Sequence, residues 1–154
     1  MEKEIRIAAF LEIQLTSFES RYVIILQEKS SPRTIEIIID GYLAQIIFYS
    51  TQEIKGPRPL SHDLAINILE HLGAKIEKVV ITDCKEDVFY ALIYLRKDDK
   101  KIMTIDARPS DAIALAVKSK CPIFAEEKLL KAKILRPEES GDLINKPPAS
   151  SWQM

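Results

Sequence analysis

The chain has 154 residues, 47% apolar and 29% charged, with a formal net charge of −1. That is the size and composition of one globular domain that buries its own core, so whole-chain disorder and a disulfide-stapled miniature are both excluded. The near-zero charge also counts against a protein that coats nucleic acid through a broad basic surface.

Two cysteines, Cys84 and Cys121, stand singly and read as reduced core residues rather than zinc ligands. The N-terminus carries Glu2, Lys3 and Glu4, and Arg6 and Glu12 interrupt the apolar run behind it. This is unlike a secretory leader, and no run of about 18 apolar residues exists to cross a membrane. A cytoplasmic location is the expectation by elimination.

Ile5 to Leu15 alternate, with Ile5, Ile7, Ala9, Leu11, Ile13 and Leu15 expected on one face of a half-buried strand. Strands at Tyr22–Glu28 and Thr34–Ile39 follow, joined by Ser30-Ser31-Pro32, and the three suggest a meander. Asp40-Gly41 opens a helix from Tyr42 to about Gln52, and Gly56-Pro57-Arg58-Pro59 is a stiff loop that forbids helix. Ser61 is the expected N-cap of a helix over His62 to Leu72, with Leu64, Ala65, Ile68, Leu69 and Leu72 as its buried stripe and Gly73 at its left-handed end.

Strands at Lys75–Thr82, Val88–Leu95 and Lys101–Ala107 then follow, with short charged links. A helix over Pro109–Ser119, a short strand at Pro122–Ala125 and a short helix at Glu126–Lys131 complete the pattern. The expectation is an α+β fold, a mixed and largely antiparallel sheet of about six strands with three or more helices packed on it. Residues 1–135 form the domain, and 136–154, rich in proline and serine, read as a flexible tail in which Trp152 alone has the means to dock.

Glycine-rich phosphate loops, a His-x-x-x-His pair and a Gly-x-Ser-x-Gly elbow are all absent. Two segments share another pattern. Arg58-Pro59-Leu60-Ser61-His62-Asp63 and Arg108-Pro109-Ser110-Asp111 each place an arginine, a hydroxyl and an aspartate at a helix start. Free N–H groups beside an arginine suit an anion such as phosphate. Asp63, Asp106 and Asp111 supply hard oxygen ligands of the kind that Mg²⁺ takes, and His62 is a group suited to proton transfer. The structural alternative is equally concrete: the serines cap helices, and the arginines pair with the nearby aspartates. If one site uses both segments, the two helix starts must meet. Lys118, Lys120, Lys128, Lys131 and Lys133 form either a nucleic-acid-facing patch or a solvated face.

Arg58-Pro59-x-x-His62-Asp63-Leu64, Leu72-Gly73-Ala74, Ile81-Thr82-Asp83, Phe89-Tyr90-Ala91, the run from Arg108 to Ala116 and Cys121-Pro122-Ile123-Phe124 occur in this order. The series resembles the bifunctional nuclease domain family from about Glu4 to Leu130. The resemblance implies an α+β fold and degradation of both DNA and RNA, with relatives acting in stress responses or transcription. Carried over motif by motif, it marks Arg58, His62, Asp63, Arg108, Ser110 and Asp111. If the chain is a metal-assisted phosphodiesterase, the expected roles are that Arg58, Arg108 and Ser110 bind substrate phosphate. Asp106 and Asp111 place a Mg²⁺ or Mn²⁺ ion, and His62, Asp63 and Asp111 carry the catalysis.

One stretch departs from the family. Where it shows Leu-Pro-Ile-x-Ile-Gly-x-x-Glu-Ala, this chain has Ile35 to Ala44, with Glu36, Asp40 and Leu43 in place of the proline, glycine and glutamate. If that glutamate is a ligand or base, Leu43 removes it. The rival reading is therefore a non-catalytic module that binds nucleic acid or another anion, or regulates a partner. A homo-oligomer is also expected, because a small open sheet has two edges to cover.

Overall fold

In the computed structural model, residues 1–14, 16–18, 20–98 and 101–132 are described. Leu15, Lys133, Asp99 and Lys100 of the link after Leu95, and the whole tail from 136 to 154 with Trp152, lie outside the described residues. The strands are β1 (Glu2–Gln14), β2 (Ser20–Glu28), β3 (Thr34–Asp40), β4 (Ala74–Lys85), β5 (Val88–Lys97), β6 (Lys101–Ala107) and β7 (Ile123–Glu126). The helices are α1 (Gly41–Thr51), α2 (Ser61–His71) and α3 (Pro109–Ser119), and Glu127–Leu129 makes a 3₁₀ turn. One mixed sheet runs β3-β2-β1-β7-β4-β5-β6, antiparallel except where β7 meets β4. The fold is α+β, as the pattern of elements predicts, with seven strands rather than six.

The seventh strand decides the architecture. The β1–β3 meander and the β4–β6 meander are each local, and β7 stitches them together. It pairs Ile123 with Ile5 on one side and with Val79 on the other. Ile123 is buried in the core, which gives this four-residue strand a reason to sit there.

β1 does not keep one apolar face. Its register shifts between Ile7 and Ala9. Ile5 and Ile7 face the helices, as expected. One extra residue then reverses the alternation, so Phe10 enters the core while Ala9 and Leu11, opposite Ile25 and Val23, turn to the far side. The Phe10 ring meets Phe48 of α1 edge to face, 6.0 Å between centroids. Ile24, Leu26, Val79 and Ile81 from the sheet close on Ile47 of α1 and Ile113 of α3. Each such burial stabilises the fold by about 1.5–3 kcal/mol before chain entropy is counted.

The helix starts also differ from expectation. Asp40 caps α1, its Oδ1 accepting the Leu43 N–H at 2.8 Å. Ser61 is not a cap but the first residue of α2. Asp63 reaches back instead, its Oδ2 accepting the Leu60 N–H at 2.9 Å. Ser110 is buried in the first turn of α3 behind Pro109, with Arg108 at the N-cap. α2 contains no fully buried residue. Ala65 and Leu69 touch the core, whereas Leu64, Ile68 and Leu72 face solvent, so three of the five residues of the expected stripe are exposed.

Glu28, 3% exposed, anchors the turn after β2. It accepts Arg33 Nε at 2.9 Å and Arg33 Nη2 at 3.2 Å, and also takes the Ser30 and Ser31 hydroxyls. Arg33 foremost, then Ser31, hold its carboxyl down from 4.5 to about 2, against the opposing effect of burial. A depressed carboxyl stabilises the fold fully above the unfolded value and loses that contribution as pH falls towards the folded one. Between pH 5 and pH 2 the melting temperature of the wild type should therefore fall more steeply than that of Glu28→Gln. Equal slopes would remove Glu28 from the acid response.

Candidate functional site

The two segments with the shared pattern meet. α2 and α3 lie on the same side of the sheet. His62 Nε2, in the first turn of α2, is 2.9 Å from Asp111 Oδ1 in the first turn of α3. Arg108 Nε donates to the other oxygen, Asp111 Oδ2, also at 2.9 Å. Asp111 is thus held between an imidazole from one segment and a guanidinium from the other. Burial raises its carboxyl pKa most, but hydrogen bonds from Arg108 and His62 and their charges outweigh it and hold the group below its usual value. Asp111 in turn raises the Arg108 pKa, with a smaller contribution from the charge of Asp40 at the start of α1.

The three groups differ in access. The Arg108 side chain is 71% exposed, and only its Nε is taken up by Asp111. The remaining guanidinium nitrogens belong to a residue at the N-cap of α3, whose first turn leaves the Ser110 and Asp111 N–H groups without a helical partner, the combination that suits an anion. The His62 side chain is 13% exposed. Its Nδ1 is enclosed and has no hydrogen-bond partner. A proton on Nε2 is donated to Asp111, which leaves Nδ1 as a bare acceptor.

The other candidates stand apart. Asp63 Oδ1 pairs with Lys118 Nζ at 2.8 Å, and its Oδ2 is the helix cap. Burial opposes ionisation of Asp63, yet Lys118 and the Leu60 N–H bring its carboxyl below the usual value. This pair lies in a cleft of about 560 Å³ that Glu53, Asn67, Glu70 and Lys120 also line, on the flank of α2 away from Arg108. Arg58 is exposed in the loop before α2, and no ion pair joins it to the cluster. Asp106 lies opposite Leu92 in the register, one residue out of phase with the core residues Ala91 and Ile93. Its side of the strand is therefore the sheet face away from the helices, whereas Asp111 stands on the helix side. No group of three metal-ligating side chains occurs among the described residues.

Three lysines of the C-terminal run have acidic partners. Lys118, Lys120 and Lys128 pair with Asp63, Glu53 and Asp83 respectively. Leu43, at the position of the family glutamate, is 7% exposed and packed in the core. Local sequence pattern does not mark the field of Asp40 on Arg108. Its only signal was an acid where the family pattern has glycine.

The model of the bifunctional nuclease domain matches residues 24–138, which include all three helices and every candidate residue. Uncharacterized proteins of two Mycobacterium tuberculosis strains are 34% identical over 131 residues, 84% of this chain and 77% of theirs. Bifunctional nuclease 2 of Arabidopsis thaliana is 25% identical over 130 residues, 83% of this chain and 40% of its own length. Bifunctional nuclease 1 of Oryza sativa subsp. japonica is 24% identical over 128 residues, 80% of this chain and 39% of its own. The chain thus spans about two fifths of these plant relatives.

Proposed function

Because the chain belongs to the bifunctional nuclease domain family, we propose that it hydrolyses phosphodiester bonds of DNA and RNA at the Arg108–Asp111–His62 cluster. The observation that supports this most is the 2.9 Å contact between His62 and Asp111, 49 residues apart in sequence, which joins the two motif segments. Arg108 and the N–H groups of the first turn of α3 grip the phosphate and offset the charge that builds on it. Asp111, ionised and with both oxygens occupied, orients its neighbours rather than taking protons. His62 Nδ1 accepts the proton of the attacking water once substrate binding opens the wall around it. A Mg²⁺ or Mn²⁺ ion would have to draw on water, phosphate oxygens and at most Asp111, so no step is routed through it.

One observation favours a second reading. With Nδ1 enclosed, His62 is a strut between two helices, and the cluster is then an anion-binding module without turnover. The two readings separate when end-labelled single-stranded DNA and RNA are incubated with the protein in Mg²⁺, Mn²⁺ or a chelator. Fragments from both polymers, lost in Arg108→Ala, support the nuclease. Retarded but intact strands under every condition would replace it with the binding module.

A further inference from the structure

Among the described residues β6 is the last strand of the sheet, paired with β5 on one side and without a partner on the other. Its middle reads Ile102-Met103-Thr104-Ile105, and each of these residues is exposed. Sheet edges are ordinarily blunted by charge, proline or a bulge. The middle of β6 has no charge and no proline, and its pairing with β5 runs without a register shift. The opposite edge differs: β3 is bridged at Thr34 by Lys131 and carries the charges of Glu36 and Asp40 along its length.

Met103 and Ile105 lie on the helix-facing side of β6, opposite Leu95 and Ile93 of β5, and are 40% and 46% exposed. Uncovered apolar side chains along an open strand edge mark an interface.

We propose that this margin binds a second copy of the chain, β6 pairing antiparallel with β6 about a two-fold axis at Met103 or Thr104. The strand is self-complementary in that arrangement. An axis at Thr104 sets Ile105 opposite Met103 of the partner subunit, apolar against apolar on the helix side. An axis at Met103 sets the two Met103 side chains together. Either axis also brings the Lys101 end of one strand beside the Asp106 end of the other, and the symmetry makes the contact twice. A parallel pairing would instead set lysine beside lysine.

Sedimentation equilibrium of the full chain across the micromolar range tests this. The expected mass is twice 17.5 kDa. Ile105→Lys and Met103→Lys should each weaken association by about 30-fold or more, the effect of losing a central interface side chain. Both positions are exposed in the single chain, so both variants should keep the wild-type circular dichroism. Oxidation of Thr104→Cys or Met103→Cys, whichever lies on the axis, should give a covalent dimer. A monomer at every concentration would overturn the proposal, as would a dimer that neither substitution weakens. A dimer that neither cysteine variant cross-links would also overturn it.

Discussion

Asp111→Asn is expected to lower cleavage of single-stranded DNA and RNA by about 10²-fold or more, within the range of removing a proton-transfer unit. The substitution keeps the shape of the side chain and changes what it can accept. Asp111 now takes two donors, Arg108 Nε on one oxygen and His62 Nε2 on the other. An asparagine offers one oxygen, and its amide N–H₂ must face the other donor. If the amide faces His62, the imidazole must move its proton to Nδ1, which is enclosed and has no acceptor. If it faces Arg108, the guanidinium loses its anchor and the phosphate grip loosens. Either outcome spoils the cluster while the fold survives, because a carboxylate in the first turn of a helix contributes only about 1 kcal/mol or less through the helix dipole. Rates and melting curves measured together separate the two effects. Unaltered cleavage by a folded Asp111→Asn protein would take Asp111 out of the mechanism.

Leu43→Glu, which restores the residue of the family pattern, should destabilise the protein by about 3 kcal/mol or more rather than revive an activity. That is the scale of leaving an uncompensated charge in a core. Leu43 is packed among core side chains, and its backbone N–H is already committed to the Asp40 cap. No described ion pair involves a neighbour on this face of α1 that would accept the new carboxylate. Urea unfolding followed by circular dichroism measures the loss. A variant of wild-type stability would show that position 43 has access to water or to Arg108, and would return it to the site. The leucine is thus explained by packing in this chain, and the acid near Arg108 is Asp40, three residues earlier.

The order and type of the elements could be read from the sequence because they follow from local pattern. Alternation gave the strands, prolines and Gly73 gave the ends, and the apolar spacing gave α3. What escaped depends on non-local geometry. The bulge after Ile7 sits in an apolar run, so nothing in the composition marks the residue at which the faces exchange. In α2 the spacing defines two apolar rows but not which one meets the core, and the core took Ala65 and Leu69 rather than Leu64 and Ile68. β7 is only four residues long, and its place between β1 and β4 is fixed by tertiary pairing. For the site, the shared Arg-Pro pattern foretold the meeting of the two helix starts. Strand parity separates Asp106 from Asp111, and that followed only once Ala107 and Ile105 were known to face the helices. The role of Asp63 could not be seen, because its partner Lys118 is 55 residues away.

The most direct test of the cluster is a double-mutant cycle on single-turnover cleavage, with His62→Gln, Asp111→Asn and the two combined. If His62 and Asp111 act as one unit, either change removes what the other would remove, and the double variant should be no slower than the slower single variant. Losses that multiply in the double variant would mean two independent groups, and would contradict a centre built on the contact between them.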